Sequence, residues 1–356
     1  MTASRTRKRR LASATRPQLP DTSVDLTRLL DLVAAFSRQT VCVLGDLVLD
    51  EFVSGEISRV SREAPVLILR HRRTELYPGG AANAVNNLAD LGARVLPVGV
   101  VGDDEGGRAL LDMFRRKRVD SSGIVRASGW TTTVKTRYLA GWTHTTEQQV
   151  LRVDREPAGV LAQTVHRAIE RKTRERAARV GTVLVSDYGL GAATPALVKK
   201  LRADRILLDS RYRLLEYRGA RITAATPNEA ELEAAFHSRI GNDTRKLEDL
   251  SRRALKTLRL HALLITRGKD GMALFEHGRP IHHISIFGSD APVDVTGAGD
   301  TVIAVFTLAL AAGASYLDAA HLANYAGGIV VMKRRTASVT RAELETALRR
   351  EATALR

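Results

Sequence analysis

Short apolar runs alternate with stretches of helical spacing along most of the chain, and this alternation predicts an α/β fold. Runs that are apolar throughout are typical of parallel strands buried on both faces. The predicted core strands are 41–44, 95–101, 182–186, 205–208, 222–226, 261–266 and 272–275. The predicted helices are 25–37, one opened by 78–83 that runs to 91, 104–118, 158–179, 194–203, one beginning at 227–231, 302–312, 315–332 and 341–355.

Two stretches, 52–73 and 131–154, have strand character but lack the pattern of a buried core. Their apolar residues alternate only weakly, and several arginines interrupt them. We therefore predict a small separate sheet, formed by segments of about 51–75 and 131–154. It would act as a lid over a site near Asp46, where the first core strand ends.

Polar side chains follow several of the predicted core strands. Asp46, Asp187, Asp209, Asn228 and Thr266 each lie at or just past a strand's carboxyl end. Each alone could belong to a turn or a helix cap. Because ligands bind outside the carboxyl ends of strands in open α/β sheets, the whole set indicates a binding site along that edge.

The stretch Asp-Val-Thr-Gly-Ala-Gly-Asp-Thr at 294–301 lies where a loop turns into an apolar helix. Small residues allow close approach of backbone N–H groups, and a helix N-terminus favours a phosphate. Beside such an anion site, Asp300 can take a proton from a hydroxyl that attacks phosphorus. The alternative is that Asp294 and Asp300 only cap the helix. Similarly, Asn83 could bind a sugar hydroxyl or cap its own helix.

Charge and composition narrow the class of ligand. The chain has 356 residues, 44% of them apolar, and a net charge of +16. Residues 1–19 hold six basic and no acidic side chains, so the remainder carries 16 − 6 = +10. This charge suits small anionic substrates. Aromatic residues make up only 4% and zinc spacing is lacking, so no specific nucleic-acid site is expected.

The expected location is a reducing cytoplasm. A single cysteine, Cys42, excludes an internal disulfide. No apolar run is long enough to cross a bilayer and no secretory segment opens the chain, so no membrane association is expected.

From about 41 to 345 the chain resembles the ribokinase/PfkB family of sugar kinases. The resemblance rests on Gly-Gly-Ala-Ala-Asn at 79–83, on the stretch 294–301 and on Asn-Glu-Ala-Glu at 228–231. It implies a ribokinase-like three-layer α/β/α sandwich with a mostly parallel central sheet and a small β-sheet lid. The kinase domain would span 24–356, after a disordered basic tail at 1–23.

Within this family the chain is most similar to heptose 7-phosphate kinases of lipopolysaccharide-core synthesis. The shared stretches are 58–66, 79–83, 148–154 and 186–188. Many of those enzymes carry a second, nucleotidyltransferase domain, and this chain is expected to be the stand-alone kinase. The family activity is ATP-dependent transfer of a phosphoryl group to a sugar hydroxyl, and the lid strands of the heptose kinases imply a homodimer.

The resemblance also implies roles for individual residues. Asp300 matches the catalytic base, and the anion hole corresponds to Gly297, Ala298 and Gly299. The ATP-binding positions are Asn228, Thr266, Gly268, Gly271 and Asn324. The substrate-binding positions are Asp46, Gly79, Gly80, Asn83, Lys135, Arg137, Asp187 and Arg211. Asn228 and Glu231 match a pair that organises Mg²⁺ through water, and Asp294 and Thr296 match part of a monovalent-cation site that binds potassium in relatives.

Three departures from the heptose kinase pattern leave two points open: the first two concern the 7-phosphate specificity, and the third concerns potassium dependence. Leu190 stands where those enzymes have Lys, and Asp-Ser-Arg at 209–211 replaces Asp-Pro-Lys. Arg335 replaces a Gly near the potassium site, and a Gly that needs positive φ is poorly replaced by Arg. A kinase of another sugar, sugar phosphate or nucleoside therefore stays open. So do a binding protein without turnover and a nucleic-acid-binding role for the basic tail.

Overall fold

The computed structural model describes residues 24–142 and 147–354. The predicted tail, 1–23, lies outside the described residues. The strands are β1 Thr40–Gly45, β2 Leu47–Val60, β3 Leu67–Gly80, β4 Arg94–Gly102, β5 Ile124–Ala127, β6 Thr133–Gly141, β7 Gln148–Arg155, β8 Thr182–Asp187, β9 Arg205–Ser210, β10 Ala224–Ala225, β11 Ala262–Thr266, β12 Met272–Glu276 and β13 His282–Ile284. The helices are α1 Leu26–Ala34, α2 Ala81–Asp90, α3 Glu105–Arg116, α4 Gln163–Ala177, α5 Pro195–Val198, α6 Glu229–Phe236, α7 Thr244–Leu258, α8 Ala298–Ala311, α9 Tyr316–Val330 and α10 Arg341–Ala354.

The larger sheet has nine strands in the order β13-β12-β11-β10-β9-β8-β1-β4-β5. The strands from β11 to β5 pair in parallel, and β12 and β13 add antiparallel pairs at one edge. This order puts β1 in the interior of the sheet, between β8 and β4, as expected for its unbroken apolar sequence.

Side chains of the central strands alternate between two hydrophobic cores, one on each face of the sheet. On β1, Val41 and Val43 belong to one core, and Cys42 and Leu44 to the other. Helices α1, α2, α3, α8, α9 and α10 cover the first face, and α4, α5, α6 and α7 cover the second. This arrangement is the predicted three-layer α/β/α sandwich.

The smaller sheet is the predicted lid, with the strand order β3-β2-β6-β7. Strand β2 pairs antiparallel with β3 and parallel with β6, and β7 completes the sheet at the edge of β6. Only Asp46 separates β1 from β2, so the first core strand leads directly into the lid. The carboxyl edge of the large sheet therefore faces the base of the lid.

Some predicted bounds were wrong for local reasons. Helix α4 begins at Gln163 rather than 158, because Gly159 takes a left-handed conformation with φ of 97°. The predicted strand 222–226 pairs only over Ala224–Ala225, since Pro227 has no N–H to continue a ladder. The predicted helix 194–203 contracts to Pro195–Val198.

Three elements were missed: the short edge strands β5 and β13, and helix α7. Helix α7 has clear apolar spacing, with its leucines at 247, 250, 255 and 258 on the buried face. No helix within 24–142 and 147–354 combines the length and apolar character needed to cross a bilayer.

Candidate active site

The glycine-containing turn before α8 is held in one conformation by its neighbours. Gly297 caps the helix with φ of 79°, and its carbonyl accepts a hydrogen bond from the Thr301 N–H at 3.1 Å. A Cβ at Gly297 would lie 2.5 Å from Nδ2 of Asn83, so only glycine fits there. One carboxylate oxygen of Asp294 accepts from the Thr296 N–H at 2.9 Å, which fixes the chain just before the turn.

Two cavities meet at this turn. The smaller, about 240 Å³, is mostly apolar, and the larger, about 610 Å³, is lined with charged groups. Thr266, Val295 and Gly299 line both cavities, so the N-terminus of α8 separates an apolar compartment from a polar one. Unpaired N–H groups at a helix N-terminus favour an anion at such a junction.

The smaller cavity contains most of the predicted nucleotide-binding residues: Thr266, Gly268, Gly271 and Asn324 line it. Gly271 has φ of 76°, and a Cβ there would lie 2.1 Å from the Ile284 carbonyl oxygen. Asn324 donates from Nδ2 to the Ser285 carbonyl at 2.8 Å. Asn228 lies in the larger cavity instead, and its backbone forms a β-bridge with Thr266.

Asp300 lies in the first turn of α8 and lines the larger cavity, although its side chain is almost fully buried. Its Oδ1 accepts from the Tyr188 hydroxyl at 2.7 Å, and its Oδ2 accepts from Asn83 Nδ2 at 3.1 Å. Burial raises the pKa of Asp300 to about 7, against the lowering effect of these two hydrogen bonds. A carboxyl group with such a pKa suits general-base chemistry near neutral pH.

Asn83 positions this carboxylate and the turn together. It is fully buried, and its Nδ2 donates to the Gly297 carbonyl at 3.2 Å as well as to Asp300. Its Oδ1 accepts from Asn87 Nδ2 at 3.1 Å. With these partners Asn83 holds the Asp300 carboxylate and the turn in place, and it is not among the residues that line the larger cavity.

Asp50 is an acidic residue that lines the larger cavity on the lid side. Its Oδ1 accepts from Arg137 Nη1 at 2.6 Å, and its Oδ2 accepts from the Thr336 hydroxyl at 2.7 Å. The bare backbone of Gly79 allows the Asp50 carboxylate to lie against β3, since a Cβ there would come within 2.7 Å of Oδ2. Gly80 also lines this cavity.

Asp46 lies behind the cavity wall. Its carboxylate accepts three backbone hydrogen bonds, from Tyr188 at 2.8 Å, Leu190 at 3.0 Å and Ala192 at 2.8 Å. Burial raises the pKa of Asp46 to about 6. These hydrogen bonds hold the 188–192 loop, and Asp46, a predicted substrate-binding residue, is not among the residues that line the larger cavity.

Asp187 is likewise buried in a network of its own. Its carboxylate accepts from the Arg213 guanidinium, from the Tyr217 hydroxyl at 2.8 Å, from the Ser210 hydroxyl at 3.1 Å and from the Gly189 N–H at 2.9 Å. These donors tie the ends of β8 and β9 together, and Asp187, a predicted substrate-binding residue, is not among the residues that line the larger cavity.

The lid contributes three cations to the lining of the larger cavity. Lys135 and Arg137 line it as expected, and Arg152 joins them. Lys135 pairs with Asp154 at 3.1 Å, and Arg152 pairs with the same carboxylate at 2.6 Å. The sequence indicates Arg152 as a candidate only through its place in the basic lid stretch. Its direction toward the larger cavity depends on the pairing of β7 with β6.

Arg211 differs from these cations because it forms no ion pair within 24–142 and 147–354. It lines the larger cavity, with its guanidinium 6.0 Å from the ring centroid of Tyr188 and 5.5 Å from that of Tyr212. Arg211 therefore places a positive charge in the cavity one aromatic ring away from Asp300, and this charge opposes the rise in the pKa of the nearby Asp209 and Glu231.

Asn228 and Glu231 form a capping box at the start of α6. Asn228 Oδ1 accepts from the Glu231 N–H at 2.8 Å, and Glu231 Oε2 accepts from the Asn228 N–H at 2.9 Å. Both line the larger cavity beside half-buried Asp209. Burial raises the pKa of Asp209, and the nearby charges of Glu231 and Asp300 raise it further. Such oxygen donors near a phosphate site fit a divalent cation.

These side chains would supply only part of the ligands of a divalent cation. The described residues contain no cluster of three or more His, Cys, Asp or Glu side chains arranged to hold a metal. Mg²⁺ in phosphoryl-transfer sites commonly keeps several waters and binds one or two carboxylates plus substrate phosphates. Glu231 offers one carboxylate in the larger cavity, and Asn228 offers an amide oxygen beside it.

The predicted monovalent-cation region is built around Asp294. Its second oxygen accepts from the Arg335 N–H at 2.9 Å, so both oxygens hold backbone N–H groups. Arg335 has φ of 69°, the left-handed conformation expected of the glycine it replaces. Thr296 lines the larger cavity.

An apolar cavity and a charged cavity that meet at a helix N-terminus, with a buried carboxylate between them, define a phosphotransferase that acts on an alcohol. The chain belongs to the pfkB family of carbohydrate kinases, whose profile matches residues 38–342. It is therefore a kinase with a sugar hydroxyl as acceptor. Kinases of this family use ATP with a divalent metal.

Curated relatives and solved structures agree with this family. The chain is 42% identical over 309 residues to "Bifunctional protein HldE" of Geobacter metallireducens, and 40% identical over 324 residues to the protein of that name from a Caulobacter species. These matches cover 85% and 89% of the chain but only 61% and 64% of the relatives. The chain thus spans less than two thirds of their length.

Among solved structures, Arabidopsis thaliana ribokinase complexed with ribose and ATP superposes with a TM-score of 0.66 at 19% identity. That match covers 87% of this chain and 98% of the ribokinase chain. Escherichia coli phosphofructokinase-2 in complex with substrates and products gives a TM-score of 0.71 at 15% identity, over 88% and 99% of the two chains. These likenesses confirm the ribokinase-like fold.

Proposed function

We propose that the protein transfers the γ-phosphate of ATP to D-glycero-β-D-manno-heptose 7-phosphate and releases the 1,7-bisphosphate, a step of ADP-heptose and lipopolysaccharide-core synthesis. The observation that carries this proposal is Arg211, a cation without an ion-pair partner in the described residues, which lines the sugar cavity near the catalytic carboxylate. The phosphate of a phosphorylated substrate would pair with this guanidinium.

Asp300 is the general base of the proposed reaction. It accepts the proton of the sugar hydroxyl while that oxygen forms a bond to the γ-phosphorus. The bond from the γ-phosphorus to the bridging oxygen breaks, and ADP leaves with that electron pair. Tyr188 and Asn83 hold the two carboxylate oxygens in place for this transfer.

Gly297, Ala298 and Gly299 form the anion hole. Their position at the N-terminus of α8 lets backbone N–H groups approach the phosphoryl oxygens. The adenine part of ATP would occupy the smaller cavity with Thr266, Gly268, Gly271 and Asn324 along its wall.

Asn228 and Glu231 would organise Mg²⁺, which neutralises charge on the phosphates when bound. Asp294 and Thr296 would contribute to a potassium site, as the family resemblance implies. The backbone of Arg335 takes the positive φ that this region requires, which supports the same loop shape despite the loss of glycine.

The phosphate of the substrate would be bound by Arg211 together with lid cations. Lys135, Arg137 and Arg152 face the same cavity but are already paired with carboxylates. Arg211 takes the place of a lysine in the heptose kinases, and its planar guanidinium can bind phosphate through two parallel hydrogen bonds. Leu190 removes one cation that those enzymes have, and Arg211 offsets part of that loss.

A homodimer through the lid is part of the proposal. Large apolar side chains are exposed on the lid sheet, and such patches mark interaction surfaces. They are Val60, Val66, Leu67, Leu76, Val150, Leu151 and Val153.

The buried single cysteine, Cys42, supports a cytoplasmic setting for the reaction.

The test is a panel of acceptors with Mg·ATP, read as ADP release and by phosphorus NMR of the product. The panel holds the heptose 7-phosphate, the dephosphorylated heptose, fructose 6-phosphate, ribose and adenosine. We expect the highest kcat/KM for the heptose 7-phosphate, with the new phosphate on C1. A higher kcat/KM for ribose, adenosine or the dephosphorylated heptose would overturn the sugar-phosphate assignment.

A further inference from the structure

Arg335 keeps a strained backbone conformation although a glycine would adopt it freely. Its φ of 69° is one of four positive values among the described residues other than glycine. L-residues reach this region only at an energetic cost, and such outliers persist where surrounding contacts hold them. The side chain of Arg335 is therefore expected to do something that a glycine cannot.

That side chain is buried in the base of the lid. Its Nη2 lies 2.8 Å from Glu147 Oε2 and 3.1 Å from Ser54 Oγ, and its Nε lies 3.4 Å from Glu75 Oε2. The guanidinium also lies over the Phe52 ring, 5.2 Å from the centroid. Ser54 and Phe52 are on β2 and Glu75 is on β3, so every one of these partners belongs to the lid or its connecting loop.

The backbone of the same residue is tied to the phosphate-binding turn. Its N–H donates to Asp294, whose other oxygen holds Thr296 just before Gly297. The next residue, Thr336, also lies between the lid and the phosphate-binding turn. Its hydroxyl donates to Asp50 on β2 at 2.7 Å, and its Cγ2 would lie only 2.9 Å from a Cβ at Gly297.

We propose that Arg335 is a positioning residue that couples the lid to the phosphate-binding turn. Nucleotide bound at the turn then stabilises the lid over the sugar cavity, and sugar bound under the lid raises the affinity for nucleotide. The two effects must be equal, because coupling between binding sites is reciprocal. This inference rests on the kinase reaction and on the sugar cavity of the proposed function.

The test variant is Arg335→Gly, which relieves the strained φ and removes every lid contact of the side chain. A backbone role alone predicts that this variant keeps full function, because glycine suits the conformation. The matched control is Arg334→Ala, which removes an exposed arginine from the preceding position. Arg335→Lys retains the charge without the fork geometry and should restore part of the coupling.

Two readouts measure the coupling. The first is hydrogen exchange of the lid strands, 47–60 and 67–80, with and without a non-hydrolysable ATP analogue. The second is the dissociation constant of the analogue with and without the sugar of the proposed function, the heptose 7-phosphate. In the wild type and Arg334→Ala we expect the analogue to slow lid exchange, and the sugar to tighten analogue binding by about fivefold or more.

In Arg335→Gly we expect the analogue to leave lid exchange unchanged and the sugar to shift analogue affinity by less than about twofold, with affinity for the analogue alone retained. If Arg335→Gly does not fold, Glu147→Gln weakens the same link from the lid side and should reduce both effects. Full coupling in Arg335→Gly, or a wild-type lid that does not respond to the analogue, would overturn the proposal. The exchange readout needs no sugar turnover, so failure to phosphorylate the heptose phosphate would be a separate result.

Discussion

The hydroxyl of Tyr188 donates a hydrogen bond to Oδ1 of Asp300 at 2.7 Å. Asn83 donates to the other oxygen of the same carboxylate, so the Asp300 side chain is fixed in orientation from two sides. Hydrogen bonds to the ionised form lower the pKa of a carboxyl group, whereas burial raises it. In Asp300 burial prevails and the pKa is about 7, which means that Tyr188 limits a shift that would otherwise be larger.

Tyr188→Phe should therefore raise the pKa of Asp300. The base must be ionised to accept a proton, so wild-type kcat/KM should fall as the pH drops through about 7. In the variant this fall should begin at a higher pH, with smaller losses well above the new pKa. The measurement is the pH dependence of kcat/KM under conditions where chemistry limits the rate.

Tyr316→Phe serves as the control for the loss of a phenol hydroxyl, because Tyr316 starts α9 and lines neither cavity. Its pH profile should match that of the wild type. An acid limb in Tyr188→Phe that stays in place or moves to lower pH would contradict the assigned effect of the hydrogen bond.

Asp300→Asn should reduce kcat by about 10²–10⁴, the usual contribution of a positioned general base. Asn can still accept from Tyr188, so the fold of the site should survive. Binding of an ATP analogue, measured by calorimetry, should change little because the smaller cavity does not include Asp300. A variant with turnover within a few-fold of the wild type would remove Asp300 from this role.

The elements that carry the site were predictable from local pattern. Val41 to Leu44 form an unbroken apolar run, and α8 follows its glycines with eleven consecutive buried residues from Asp300 to Leu310. Both features arise because neighbouring residues are buried together, and the apolar runs that result are visible in the sequence itself. The predicted nucleotide residues of the smaller cavity came from the family resemblance and not from this pattern.

The division of labour between Asp46 and Asp50 could not be predicted in that way. Both are acidic and follow the same strand, four residues apart. Asp46 is removed from the cavity by three N–H groups of the 188–192 loop, which is distant in sequence. Asp50 reaches the cavity because Gly79 on a different strand leaves room for it. Such tertiary contacts leave no local signal.

Arg211→Ala should raise the KM for a sugar phosphate while leaving an unphosphorylated sugar nearly unaffected. A charge-assisted hydrogen bond contributes about 1.5–3 kcal/mol, which corresponds to a loss of about tenfold to a hundredfold in kcat/KM. Arg211→Lys should lose less, because the charge remains and only the fork is removed.

The control for this prediction is Arg218→Ala, an exposed arginine that does not line the cavity. It should leave both substrates unchanged. Equal losses for phosphorylated and unphosphorylated sugars in Arg211→Ala would mean that Arg211 does not recognise the substrate phosphate.

Gly299→Ala should raise the stability of the fold and lower kcat, whereas Gly297→Ala should lower the stability. Gly299 lies inside α8, and a Cβ there would meet no heavy atom of the described residues within 4 Å. Alanine is favoured over glycine in a helix by about 0.5–1 kcal/mol, so the free energy of unfolding should rise by about that amount. Because Gly299 lines both cavities, the added methyl group would stand where the transferred phosphoryl group must pass, and kcat should fall.

Gly297→Ala should instead destabilise the fold. The new Cβ would lie 2.5 Å from Asn83 Nδ2, in a backbone conformation with φ of 79° that alanine disfavours, for a cost of about 1–3 kcal/mol. Thermal unfolding and steady-state kinetics of both variants provide the comparison. A Gly299→Ala variant that is more stable and also fully active would contradict binding of the phosphoryl group at the N-terminus of α8. The surroundings of the added methyl group are open, so no other loss of activity is expected from it.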